Sequence, residues 1–346
     1  MDRRDEFACQ LDRRGALEPL GESADEFLAS ERAAHAEVRA DTEREVLWGA
    51  RPVDVELVGA FESFDAAASG LGEKGHAYRE RLREMTIAEM MDRVEALKEE
   101  DLAYLRRGVE MNLVLAEAGK KLGKVGHFVA DLVRKGLLVE DVVSTSKILT
   151  ASASDARMAG LPYPAMASGG SGNQGIVATL VPYCVGRFYG VADEAILRSI
   201  ALSHLVNGYI KCYTGDLSPI CGCAIAAGVG AAAAIVYQQA GRDLEKINLA
   251  VNTLVSDLGG MLCDGAKGGC ALKVVSSTES TIRAAYMALN DHGITEAEGF
   301  VGRSAEETIK NISRIGEIGM SLVDKTLLGI MGDKVTRNRT LPGPKD

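Results

Sequence analysis

Four of the seven cysteines fall in one stretch, from Ser218 to Lys273, and their thiols are the groups in this chain with the most chemistry to offer. Cys221 and Cys223 follow Pro219 at the mouth of the small-residue run AIAAGVGAAAAIVYQ, and Cys263 and Cys270 bracket the glycine-rich loop DGAKGG. Thiolates are soft metal ligands, and iron–sulfur clusters are usually held by four of them. A cluster with only three protein ligands leaves one iron open to act as a Lewis acid. Loop glycines let backbone N–H groups approach cluster sulfurs or a substrate carboxylate closely. The spacings C-x-C and C-x6-C match neither the common zinc patterns nor the ferredoxin runs. A competing reading is plain packing, because cysteine is a small hydrophobe that suits a Gly/Ala-rich helix.

Several other groups are candidates for the same chemistry. The segment SGGSGNQG, Ser168 to Gly175, precedes a helix expected to open at Ile176. Its N–H groups and the helix dipole make an anion site suited to a carboxylate. Ser168, Ser171, Gly172, Asn173 and Gln174 are its candidate binding residues. The segment is not a P-loop, since no Gly-Lys-Ser/Thr follows, and no strand precedes it as a dinucleotide site requires. Alternatively it is only a turn. Upstream, Asp155 and Arg157 end a helix; Arg157 either faces the carboxylate or joins a helix-end ion pair with Asp155. His204 is either a hydrogen-bonding or basic group near the thiols or a satisfied core histidine. Lys211 either nears the anion or faces solvent. Lys273, three residues past Cys270, would neutralise cluster charge or serve as a base.

Helices must position these groups. Two Cys-bearing turns separated by one helical hairpin meet in space, because an antiparallel pair returns the chain to its start. From Thr86 onward the pattern is helical, with a Thr86/Glu89 capping box and Met90, Val94, Leu97, Leu102 and Leu105 close to one stripe. His127 lies on a short amphipathic helix and reads as structural or exposed. Cys184 and Cys212 read as packing. Ser304 is the expected N-cap of a last long helix packed through Ile309, Ile312, Ile315, Met320, Val323 and Leu327. The expected fold is mainly α, a Gly/Ala-rich helical bundle over residues 85–335. Residues 1–84 form a helical or irregular segment of undefined role, and 336–346 a fraying tail. Cys9 stands alone in the first of these.

Composition narrows the partners. The 346 residues are 47% hydrophobic, only 5% aromatic, and include 38 glycines, which favours close helix contacts through small side chains. The net charge of −10 argues against non-specific binding to nucleic acid or anionic membranes. No apolar leader follows MDRRDEF, and the alanine-rich run is a core helix by its composition, so a cytoplasmic chain with reduced thiols is expected.

Three motifs in order, SGGSGNQGI, SPICGCAIAAGVGAAAA and GMLCDGAKGGCALK, resemble the iron–sulfur L-serine dehydratase and L-cysteine desulfidase superfamily, nearer the desulfidase branch. The resemblance covers Met85 to Asp333. It implies a [4Fe–4S] cluster held by Cys223, Cys263 and Cys270, with Cys221 the alternative to Cys223, and a carboxylate site in the Ser168–Gly175 segment. It implies β-elimination, without pyridoxal phosphate, from a small L-amino acid: L-cysteine to pyruvate, ammonia and sulfide, or alternatively L-serine. The family's Gly-Cys-Thr-Glu-Pro motif, whose cysteine is assigned as base or resting ligand, does not occur here. A partner subunit supplying that region, a piece of a longer chain, or an altered activity would each account for this. A homo-oligomer is a further expectation, and a non-catalytic helical protein is the remaining alternative.

Overall fold

The computed structural model describes residues 73–215 and 218–340, with side chains from Tyr78 to Lys334. Cys9 and most of the expected N-terminal segment lie outside the described residues. Twelve helices follow in order: α1 Glu73–Glu84, α2 Ile87–Glu95, α3 Glu99–Lys120, α4 Val125–Arg134, α5 Val142–Met158, α6 Gly172–Phe188, α7 Asp193–Thr214, α8 Ala226–Ala240, α9 Leu244–Leu258, α10 Cys270–Leu289, α11 Ala305–Arg314 and α12 Val323–Thr340. No strand occurs among the described residues, so the expected mainly α bundle is what forms. None of its helices is long and apolar enough to cross a membrane.

The centre is α8, which packs against α6, α7, α9 and α10. Every residue from Ala226 to Val236 is buried. Such a helix has no polar face and is stable only when surrounded. Its small side chains bring neighbouring backbones close enough for α10 hydroxyls to reach carbonyls on it and on the turn before it: Thr281 Oγ1 donates to Gly228 O at 3.3 Å and Ser277 Oγ to Ala224 O at 2.8 Å. A similar seam joins α5 to α10, where Thr150 Oγ1 and Thr278 Oγ1 lie 3.0 Å apart. Buried hydroxyls are tolerated there because each also bonds a carbonyl one turn back.

The Met90–Leu105 stripe is core, as expected, with all five residues buried. It spans two helices, however, because the chain breaks at Ala96–Lys98. The Thr86/Glu89 capping box starts α2. At its other end, Arg198 of α7 donates to the carbonyls of Val94, Glu95 and Leu97, satisfying acceptors that a helix C-terminus leaves open. The expected last long helix is also two pieces. Ser304 caps α11, but a π turn at Ile315–Gly319 separates it from α12. Ile309 and Ile312 are buried as expected, whereas Ile315 is 36% exposed. The turn is where Gly316 passes Ile220, whose Cδ1 would lie 2.5 Å from any Cβ at that position. A side chain there would push the turn off Ile220, which neighbours the first cysteine pair.

Asp155 caps α4 and does not pair with Arg157. Gly126 N donates to Asp155 Oδ2 at 2.8 Å, while Oδ1 has no partner. Burial pushes the carboxyl above its ordinary value, against the pull of the backbone donors. A carboxylate whose folded-state pKa is raised contributes less stability as pH rises through that pKa. Asp155→Asn keeps an oxygen for Gly126 and cannot ionise. Its stability relative to wild type is therefore expected to improve from pH 4 to pH 7, read by denaturant unfolding. Asp155→Ala loses the cap and is expected to cost about 1–2 kcal/mol at either pH.

Candidate active site

The helical hairpin α8–α9 returns the chain as its length requires, and the two cysteine turns are stitched together where they meet. Ile220 and Leu262 form an isolated antiparallel bridge. Cys221 N donates to Met261 O at 2.9 Å and Cys263 N to Pro219 O at 2.7 Å. Backbone bonds thus fix the two turns whatever the thiols do. The Cys221 thiol lies within interaction range of those of Cys223 and Cys263. Cys270, the first residue of α10, is close enough to Cys223 for their charges to interact.

The thiols differ in acidity for physical reasons. Cys223 lies below the ordinary thiol value, chiefly because Cys221 donates to it and secondarily because Ser171 does. The same bond pushes Cys221 up to about 11, since losing its proton would break the bond. Cys263 is pushed up by donating to Cys221 and by burial. Cys270 Sγ sits in the loop, donating to Gly265 O at 3.5 Å and accepting from Lys267 N at 3.4 Å.

Three helices begin at this pocket. α6 starts at Gly172 beside Cys223, α8 starts three residues after Cys223, and α10 starts at Cys270. Helix N-termini carry partial positive charge and lower thiol pKa values. The Ser168–Gly175 segment differs in detail from expectation, because α6 opens at Gly172 and not at Ile176. Ser168 and Ser171 exchange backbone bonds of 3.2 and 2.9 Å across a tight turn. Gly169 and Gly170 occupy it with φ of 52° and 78°, a pair of left-handed conformations that glycine adopts at little cost. Ser171 is the N-cap residue, yet its side chain does not cap α6 and instead serves Cys223.

The expected binding residues take distinct places. Ser168 is fully buried and its Oγ accepts from Asn207 Nδ2 at 2.7 Å. Arg157 packs on Gly172: a Cβ there would collide with its Nε and lie 2.8 Å from its Cδ, so the guanidinium stands at the start of α6. Asn173 turns inward, its Oδ1 accepting from Ser154 Oγ at 3.3 Å. Gln174 faces Gly222, between Cys221 and Cys223, with its Nε2 2.7 Å from the Cβ position of that glycine.

His204 and Lys273 differ in what they offer. His204 is fully buried between α6 and α7, with Nε2 3.2 Å from Thr179 Oγ1 and Nδ1 unpartnered. Burial lowers its pKa to about 3. Thr179 stands eight residues past Ser171 on α6, roughly 12 Å along the axis. Lys273 Nζ donates to Leu262 O at 2.7 Å and to Asp264 Oδ1 at 2.6 Å, and Lys267 pairs with the same carboxylate. A lysine so held is a fixed cation tying Leu262 and Asp264 to α10. Asn207, not singled out from the sequence, belongs to the site. It shares one α7 stripe with His204 and Lys211, at i, i+3 and i+7, and this polar spacing among apolar neighbours is the signal that points to it.

No group of three or more His, Cys, Asp or Glu among the described residues converges to hold a metal ion. A polynuclear cluster asks for something else, thiolates spread around a body larger than one ion. Four cysteines close in space to the starts of three helices are a soft, anion-tolerant donor set of that kind. The residues present fit an iron–sulfur cluster.

Comparison with known proteins places the chain in context. The serine dehydratase alpha chain family model matches residues 30–329, starting well before Met85. Among curated proteins, a UPF0597 protein of Geobacter sulfurreducens is 74% identical over 259 residues, covering 75% of this chain and 60% of its own length. That of Elusimicrobium minutum is 56% identical over 263 residues, covering 76% and 62% respectively. A UPF0597 protein of Clostridioides difficile is 40% identical over 272 residues, covering 78% and 62%. The chain thus spans about 60% of the length of the curated relatives it matches. No solved structure matches.

Proposed function

Because the chain belongs to the serine dehydratase alpha chain family, we propose that the cysteine pocket is the site of a pyridoxal-phosphate-independent amino-acid lyase. Its preferred substrate is L-cysteine, in the manner of a desulfidase, with L-serine the alternative. The observation that carries this reading is the backbone stitching of Cys221–Cys223 to Cys263 beside Ser171 and Arg157.

Cys223, Cys263 and Cys270 would hold a [4Fe–4S] cluster, with Cys221 the neighbouring thiol that could replace Cys223. When bound, such a group supplies an iron that acts as a Lewis acid toward the departing thiol or hydroxyl. Arg157 and the first N–H groups of α6 bind the substrate carboxylate, an assignment supported by the helix start at Gly172. The side chains of Ser168, Ser171 and Gln174 and the backbone of Gly172 and Asn173 shape this end of the pocket. Loss of the α-proton and of sulfide from L-cysteine leaves an enamine; it tautomerises and is hydrolysed to pyruvate and ammonia. From L-serine, water leaves in place of sulfide.

The proton-abstracting base separates two versions of this reading. His204 is neutral at pH 7 and a weak base at its depressed pKa, and Lys273 is held in an ion pair. Those surroundings favour a base contributed by a segment outside the described residues or by a partner chain. The test is an anaerobic assay of the reconstituted chain with each amino acid, measuring pyruvate and sulfide. Pyruvate with equimolar sulfide from L-cysteine supports the desulfidase reading, and pyruvate from L-serine alone supports the dehydratase. A cluster-loaded chain that makes neither, and stays silent when a candidate partner chain is added, counts against lyase function.

A further inference from the structure

Two buried amide oxygens in the pocket lack hydrogen-bond partners, Gln174 Oε1 and Asn207 Oδ1. Gln174 is 4% exposed and Asn207 not at all. They come from different helices, α6 and α7, yet the two amide groups meet beside Gly169. The position of a Cβ on Gly169 lies 3.2 Å from Gln174 Oε1 and 2.8 Å from Asn207 Nδ2. Gln174 Oε1 also lies 3.3 Å from the Cβ position of Gly222, so the same oxygen reaches toward the thiol-bearing turn. The amide nitrogen of Asn207 is already committed, donating to Ser168 Oγ at 2.7 Å. A buried acceptor left open destabilises the fold unless something donates to it. The missing group must therefore be a donor, and a primary ammonium offers three N–H bonds and no acceptor.

We propose that Gln174 Oε1 and Asn207 Oδ1 form the subsite for the α-ammonium group of the substrate. Arg157, at the start of α6, takes the carboxylate of the same zwitterion. The subsite deepens the lyase reading and rests on it for the identity of the ligand. It would make the pocket select α-amino acids over the corresponding carboxylic acids. Lys211, whose Cγ lies 2.7 Å from the same point beside Gly169, has an interaction of its own and adds positive charge nearby. The expected preference is therefore about tenfold, the low end for hydrogen bonds to a charged group.

Equilibrium binding of L-alanine and of propanoate to the anaerobically reconstituted chain tests this without turnover, since neither ligand has a leaving group. Wild type is expected to bind L-alanine about tenfold more tightly than propanoate. Asn207→Leu and Gln174→Met should each erase most of that preference, weakening L-alanine far more than propanoate. Asn207→Asp, which retains the oxygen, should keep the preference. Absence of a preference in wild type overturns the subsite. So do variants that weaken both ligands equally or discriminate as well as wild type. If Asn207→Leu does not fold, Gln174→Met and Asn207→Asp give the same decision. Pyruvate formation is measured separately, so the lyase reading can survive the loss of this subsite, and a failure of that assay is seen independently of it.

Discussion

Gly175→Ala is expected to destabilise the protein by about 3 kcal/mol, or to prevent its folding, from the addition of a single methyl group. A Cβ on Gly175 would overlap the carbonyl oxygen of Met166, with the Ala167 carbonyl carbon at 2.8 Å. These are backbone atoms, and they cannot rotate away as a side chain would. Met166 is also clamped. The buried Asn112 accepts from Met166 N at 3.0 Å and donates to Gly175 O at 3.4 Å, holding the two backbones together. Relief would require breaking that clamp or moving α6, and with it Ser171 and Gln174. Gly329→Ala is the control, because its Cβ position on α12 meets nothing within 4 Å, and alanine there should be neutral or slightly stabilising. Thermal or denaturant unfolding reads both variants. A Gly175→Ala protein within about 0.5 kcal/mol of wild type would contradict the close approach of Met166 to α6.

Acid is expected to destabilise the fold steeply through one buried imidazole. His204 titrates at about 3 in the folded chain against an ordinary value of 6.5, because burial opposes its charged form. The unfolded chain takes up the proton first, so stability is fully present above pH 6.5 and is lost as pH falls toward 3. The slope is about 1.4 kcal/mol per pH unit, which accumulates to roughly 4–5 kcal/mol over that window. His204→Gln retains a partner for Thr179 and has nothing to titrate. Its unfolding free energy between pH 7.5 and 4.5 should therefore fall more gently than that of wild type. Parallel curves for the two proteins would show that His204 is not held neutral by burial.

Local features of the fold were legible in the sequence. The Thr86/Glu89 box, the Ser304 cap and the Met90–Leu105 stripe depend on spacings of three and four residues, and each forms where expected. The meeting of the two cysteine turns was also legible, because one antiparallel hairpin separates them. What was not legible depends on contacts distant in sequence. The pairing of Ile220 with Leu262 fixes which backbone groups meet, and no local pattern encodes it. The break between α2 and α3 is held by Arg198, about a hundred residues away. The π turn at Ile315 coincides with the passage of Gly316 over Ile220, a contact between segments about a hundred residues apart. The helix start at Gly172 was masked by a run of Gly, Ser and Asn that reads as a loop. Asn207 reads as incidental in the sequence, a single amide among Leu, Val and Ile, because only the path of α7 carries it to Ser168 and Gly169.

The most direct test of a cysteine-held cluster is an anaerobic purification with an absorbance spectrum and iron and sulfide counts, made on wild type and on Cys263→Ala. Wild type should be brown, carry about four irons and four sulfides per chain as a [4Fe–4S] cluster requires, and bleach in air. Cys263→Ala should lose most of the iron. The same counts on Cys221→Ala and Cys223→Ala decide which member of the first pair is the ligand. A protein that stays colourless after reconstitution under strict anaerobiosis, or a Cys263→Ala variant with its full iron content, would contradict the assignment of this pocket as a cluster site.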